Sequence, residues 1–202
     1  MLKKSVLLDS LWKHKVLLTF GASFIIAIQL VSNEIFRNWI LHLFELSPFI
    51  GSFLSGAFYA TFITVPIGTV MLFLLARSIN PFFVIFVGAL GACLTNLLFF
   101  EFFQISIIPE IKLLGKELGQ RNPRIFKLWK SLKIAEKLKE PLFVQKVAPL
   151  ISALIILSPI PDEIGIFLLS ASKYEIKKFV PCSFILNTIG ISLIVFLGNL
   201  LA

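Results

Sequence analysis

Uncharged and charged stretches alternate along this 202-residue chain, and their lengths set the elements it can form. Val16 to Asn33 runs for 18 residues without a charge. As a helix rising 1.5 Å per residue, that nearly matches a hydrocarbon core of about 30 Å. A transmembrane helix is therefore expected over 16–33. The next stretch, 34–45, is mixed. Ile35, Phe36, Trp39, Ile40, Leu43 and Phe44 fall at helical spacing around Arg37, Asn38 and His42. That pattern predicts an amphipathic helix in the membrane interface, anchored by Trp39.

Leu46 to Ala76 is uncharged for 31 residues, too long for one straight span and too short for two with a turn. Thr64-Val65-Pro66-Ile67-Gly68-Thr69 lies in its middle. Proline removes a backbone donor and glycine adds freedom, so a break is expected at 65–68, at Pro66 and Gly68. The economical arrangement is a re-entrant hairpin over 48–76, with arms that stop partway through the bilayer. Arg77, Asn80 and Pro81 then form a polar turn. A second transmembrane helix is expected over 81–103. Pro81 suits its first turn, Gly88-Ala89-Leu90-Gly91-Ala92 permits close helix contact, and Glu101 closes it.

Residues 105–146 change character. Ten Lys/Arg and four Glu interleave with Leu113, Ile125, Phe126, Trp129 and other apolar positions. Basic amphipathic helices lying on anionic lipid headgroups are expected here, interrupted near Asn122-Pro123. Val147 to Ser172 repeats the earlier theme. Two apolar arms flank Ser158-Pro159-Ile160-Pro161-Asp162-Glu163, which predicts a second re-entrant hairpin over 147–172 broken at Pro159 and Pro161. A basic turn follows at 173–178. The last 24 residues, 179–202, carry no charge and suit a third crossing.

Composition agrees with these lengths. Hydrophobic residues make up 57% of the chain and charged residues 15%, against about 45–50% and about 25% in soluble domains. So few charges do not cover a water-facing surface. Cys93 and Cys182 sit in apolar runs, and His14 and His42 lie near segment ends, so no metal site and no cofactor are expected. The lysines before Val16 resemble a signal sequence, but no small-residue cleavage site follows. The segment is read as a retained anchor.

Basic segments mark the cytoplasmic side. Residues 1–15 carry net +3, 105–146 net +6 and 173–178 net +2, whereas 34–45 carry net −1. These signs place the N-terminus in the cytoplasm and let the hairpins enter from opposite faces. Pro66-Ile67 recurs as Pro159-Ile160, each followed by an arm, a turn and a span bearing an asparagine (Asn96, Asn187). The expected fold is all-α, an inverted repeat of two re-entrant hairpins with about three transmembrane helices and a basic cytoplasmic segment. Inverted repeats with broken helices are a transporter signature.

Asp162 and Glu163 carry the clearest chemistry, because a carboxylate at the bilayer centre costs roughly 2.5–3.5 kcal/mol. One reading makes them a proton or ion site. The other makes Asp162 a helix cap, with Glu163 in the first turn. Arg77 is a counter-charge or a snorkelling interfacial side chain, and Glu101 a second acid or an interfacial end. Asn96 and Asn187 serve as interhelical hydrogen-bond glue or as cavity lining, together with Thr64 and Ser158. No Ser/His/Asp set, phosphate loop or HExxH is present, so no enzyme is expected. The expected partners are membrane lipids and anionic headgroups, not nucleic acid, with self-association left open.

Phe53 to Phe103 and Val147 to Leu200 resemble the DedA/VTT superfamily. The Pro66-Ile67-Gly68 break with Gly88 to Ala92, and Ser158 to Glu163 followed by Phe179 to Gly190, carry the resemblance. It implies two facing hairpins and movement of polyprenyl phosphates or phospholipids across the bilayer, as flippase or scramblase, with proton coupling in some members. In the family an acid usually follows Pro-Gly in the first hairpin, and arginines stand near the second proline. Here Thr69 and the Asp162/Glu163 pair occupy those places, which moves any proton site to the second hairpin. The rival functions are a small ion or solute transporter and a non-transporting membrane assembly protein.

Overall fold

Helix follows helix in the computed structural model, which describes residues 15–110, 147–156, 162–172 and 174–200. No strand occurs among them. The order is α1 (Lys15–Ser32), α2 (Glu34–Leu46), α3 (Pro48–Tyr59), α4 (Val65–Ser78), α5 (Pro81–Phe102), a π-helical turn (Phe103–Ile107), α6 (Ala148–Ile156), α7 (Asp162–Ala171) and α8 (Ile176–Leu200). The basic stretch 111–146 and the residues Ser158, Pro159 and Pro161 lie outside the described residues.

Two of these helices are long and apolar enough to cross a membrane. One runs unbroken from Pro81 to Glu110 through the π turn, and the other is Ile176–Leu200. Only 28% of the apolar window of the second is buried. A soluble core helix would be mostly covered, so this one keeps an apolar face towards its surroundings. The first helix, α1, has 18 described residues, about 27 Å at 1.5 Å per residue.

Several boundaries differ from those the sequence suggested. Glu101 does not close α5. It stands exposed within a helix that continues to Glu110, because Phe102, Phe103, Ile105, Ile107 and Ile108 extend the apolar run beyond it. The first hairpin breaks at 60–64 rather than at 65–68. Pro66 and Gly68 belong to the first turn of α4. There the missing proline N–H has no intrahelical acceptor to lose. Gly68 answers a steric demand: a Cβ on it would collide with the backbone nitrogen of Tyr59 in the facing arm. Arg77 lies in the last turn of α4 rather than in the following turn.

The described contacts divide into two units. One takes the described residues up to Cys93 and those from Asn187 onward; the other takes 94–186. In the first unit α1 buries Ser23, Ala27 and Leu30, a stripe at i, i+4 and i+7. Leu30 joins Met71 and Leu74 in an apolar cluster on which Ile40, Leu41 and Phe44 of α2 pack. The opposite side of α2 leaves Ile35 and Trp39 exposed. The arms α3 and α4 pack on each other and on the first half of α5. Cβ atoms on Gly56 and Gly91 would strike the carbonyl oxygens of Gly88 and Phe53. Glycine at these positions lets the two backbones touch.

In the second unit α6 and α7 form the corresponding pair. Phe100, Ala148, Ile166, Leu169 and Phe179 make its buried cluster, with Phe100 and Phe179 stacked at 4.4 Å between ring centroids. Phe103 of the π turn meets Phe167 edge-on at 5.6 Å.

A correspondence joins the two regions. In α3–α4 the glycine at the fourth position of the second arm, Gly68, packs on Phe58 and Tyr59. In α6–α7 the glycine at the same position, Gly165, packs on Ile155 and Ile156. Every member of the second set lies 97 residues after its counterpart. Five residues, 60–64, join the arms of the first hairpin. At the same offset Ser55 matches Ser152, both buried, and Pro81, which opens α5, matches Lys178 near the start of α8. Of the Pro66/Pro159 match, 93 residues apart, Pro66 sits in the first turn of α4 and Pro159 lies outside the described residues.

Within each unit α5 and α8 run antiparallel. In the first, Phe82 meets Phe196 edge-on at 6.4 Å, and Gly88 lies against Ile191. In the second, Asn96 meets Ser183 and Phe100 meets Phe179. Rising numbers on one helix pair with falling numbers on the other.

Candidate functional site

The sequence-derived polar residues separate into the same two groups. In the second unit Asp162 and Glu163 open α7. Both are half-buried, and Glu163 Oε2 is out of reach of solvent. Their position in the first turn sets both carboxylates at the positive end of the helix dipole. The capping and the polar-site readings therefore meet in one geometry: the dipole partly offsets the cost of the charges while leaving them at the mouth of the hairpin. Behind them, Ser152 Oγ donates to the carbonyl of Gly165 at 2.9 Å, tying α6 to α7. Ser170 Oγ donates to the carbonyl of Phe100 at 2.9 Å, tying α7 to α5. These bonds hold the arm that carries the acids.

Asn96 is fully buried in α5. Its Nδ2 donates to Ser183 Oγ of α8 at 3.2 Å, an interhelical bond of the kind that apolar surroundings favour. Its Oδ1 is buried and accepts no hydrogen bond among the described residues, so this point in the unit retains unused polarity. Glu101 stays exposed one turn further along α5.

In the first unit the polar groups serve the hairpin itself. Thr64 Oγ1 donates to the carbonyl of Phe58 at 2.8 Å, closing the turn between the arms. Arg77 Nε donates to the carbonyl of Gly198 at 3.1 Å, and its guanidinium lies over the Phe73 ring at 4.6 Å. Arg77 thus ties α4 to the end of α8. Asn187 is buried in α8 within this unit. Ser52 Oγ is buried and makes no hydrogen bond among the described residues.

The structure brings Asp162 and Glu163 together and pairs Asn96 with Ser183. It gives Arg77 partners within its own unit. Sequence reasoning passed over Ser152, Ser170 and Ser183, each of which makes a helix-to-helix hydrogen bond. Their signal was a lone small hydroxyl inside an uncharged run, which in an apolar setting must find an acceptor.

Outside the apolar segments, Tyr174 has its phenol pushed up from the ordinary value. Burial contributes most, followed by the nearby Cys182, with Glu175 also raising it and Lys178 opposing. The phenol stays neutral at physiological pH. Glu175 and Lys178 form an exposed ion pair at 3.1 Å. No group of three or more His, Cys, Asp or Glu suited to a metal ion occurs among the described residues.

Comparison with protein-family models, curated proteins and solved structures finds no match to this chain.

Proposed function

We propose that this chain is a multi-pass integral membrane protein that moves a lipid, a phospholipid or polyprenyl phosphate, across the bilayer as flippase or scramblase. The observation that carries the reading is the recurrence, 97 residues apart, of one construction: a short two-armed hairpin followed by a long apolar helix. In each unit the two long helices run antiparallel, which supports reading the two constructions as an inverted repeat. The arms of the first hairpin, 12 and 14 residues, are shorter than the ~20 needed to cross, which favours a re-entrant hairpin there. Two inverted hairpins with broken backbone are the architecture in which transporters build a midplane site. The likeness to the DedA/VTT superfamily points to lipid as the cargo. The N-terminus and the basic stretch 105–146 then face the cytoplasm, the latter against anionic headgroups.

Asp162 and Glu163 are the proposed proton site. Their placement at the mouth of the second hairpin, with one carboxylate oxygen out of solvent, also favours a second reading in which a small cation or solute is the cargo. Reconstitution separates the two. Purified protein in liposomes carrying fluorescent phospholipid or polyprenyl phosphate should accelerate label movement over protein-free vesicles. If neither lipid moves, but a cation or proton flux appears that Asp162→Asn with Glu163→Gln abolishes, the lipid reading fails and the second stands. Cysteine labelling from both faces at 48–78 tests the hairpin: opposite-face labelling of its two ends would make that segment a crossing.

A further inference from the structure

The first unit contains a groove that the lipid-transport reading does not use. Phe24, Ile28 and Val31 of α1 line one wall, and Val65, Pro66 and Val70 of α4 the other, enclosing about 550 Å³. Phe24, Ile28 and Val31 are each about half exposed, so the wall opens sideways. Ser32 brings a hydroxyl to one end. At that end stands a cation: Arg37 Nη1 donates to the carbonyl of Val31, itself a lining residue, at 3.3 Å. Its neighbour Glu34 is 3.7 Å away with a side chain 81% exposed, a weak pair that a better anion displaces.

An apolar trough with a guanidinium bonded to the backbone of one of its lining residues matches an amphiphile with a phosphate head. We infer that this groove holds one acyl chain of a bilayer phospholipid, with its phosphate on Arg37. The volume lies within the roughly 300–1,000 Å³ of small-molecule sites, room for a single acyl chain and not for a long polyprenyl tail. Arginine suits the head because its planar fork of donors matches phosphate oxygens. In a membrane the medium around an open apolar groove is itself acyl chain, so entry needs no desolvation of the walls. This assignment rests on membrane residence and supplies the lipid reading with a docking place beside the first hairpin.

The test places a reporter in the groove. Phe24→Trp, with Trp12, Trp39 and Trp129 changed to Phe, is reconstituted in phosphatidylcholine vesicles containing brominated phosphatidylglycerol or brominated diacylglycerol. Bromine quenches tryptophan on contact. Quenching by the phospholipid should exceed that by diacylglycerol as if it were locally enriched about fivefold, the gain from one interfacial arginine. Arg37→Gln should bring the two to equality. Native mass spectrometry of the wild-type chain should show a retained phospholipid that Ile28→Trp, which fills the trough, expels. Equal quenching by both lipids, or retention unchanged by Ile28→Trp, overturns the site. A disulfide between two chains bearing Ile28→Cys, with no quenching by either lipid, would assign the groove to a second copy instead. Label movement measured in the same vesicles keeps the two proposals apart. Movement without enrichment removes the groove alone, and enrichment without movement removes the transport reading alone.

Discussion

The two hairpins share a contact pattern and differ in how they are held. The first, α3–α4, is fixed by backbone approach. Gly56 and Gly91 let it lie against α5 with no side chain between. The second, α6–α7, is fixed by side chains: Ala148, Ile166 and Leu169 pack on the stacked Phe100 and Phe179, and Ser152 and Ser170 add hydroxyl hydrogen bonds. At the position of Gly56 the second hairpin has Ala153, and at the position of Pro66 it has Glu163. The glycine-packed hairpin carries no acid, and the side-chain-packed hairpin opens on two. One contact pattern thus serves a close-packed hairpin and a polar one.

The largest expected effect breaks this comparison at its packing. Gly56→Leu drives a side chain into the Gly88 carbonyl, and backbone cannot yield as a flexible side chain does. A loss of about 3 kcal/mol or more is expected, with little folded protein recovered. Ala153→Leu, at the equivalent place, should stay within about 0.5 kcal/mol. Thermal unfolding in detergent, followed by size-exclusion, checks both. Equal sensitivity would mean that the hairpins are held alike.

Next comes the chemistry. A proton taken up at Asp162 leaves one negative charge at the start of α7 in place of two, so lipid movement coupled to that proton falls as pH rises. Asp162→Asn with Glu163→Gln should flatten that profile in liposomes. Thr64→Val, in the first hairpin, should leave its shape unchanged. A profile kept by the double variant would remove the proton role.

Smaller effects sharpen the picture. Arg77→Ala loses the bond to Gly198 and the contact with Phe73. A cation–π contact is worth about 0.5–1 kcal/mol at exposed sites, so melting should drop by a few degrees while the pH profile stays. Ser170→Ala removes one interhelical hydrogen bond, about 0.6 kcal/mol in membrane proteins, the least of the set. A Ser170→Ala loss exceeding that of Arg77→Ala would mean that the second hairpin leans on its polar ties more heavily than these magnitudes allow.

Some of this was legible in the residues. The uncharged run from Leu46 to Ala76 announced an element neither one span nor two. Pro66 announces either a break or a helix start, and the structure makes it a helix start. Proline marks both, and sequence does not say on which side the chain turns. Glu101 looked like a helix end because a charge inside an apolar run is costly. Exposure on one side of the helix lowers that cost, and the helix runs on to Glu110. The sequence displays Pro-Ile at an offset of 93, a conspicuous pair, whereas the correspondence of Gly68 and Gly165 at 97 acquires meaning only from what they touch.

The sequence by itself determined the lengths: which runs suit a membrane, which stop short of crossing it, and where charge is concentrated. Length and polarity are local properties, and the cost of moving charge into an apolar medium acts on each segment separately. Only the tertiary structure decided the partners. It set Gly56 against Gly88, Gly68 against Tyr59, Asn96 against Ser183 and Arg77 against Gly198. Those pairings depend on which helix faces meet, and residues far apart in the chain compete for each place until packing selects one.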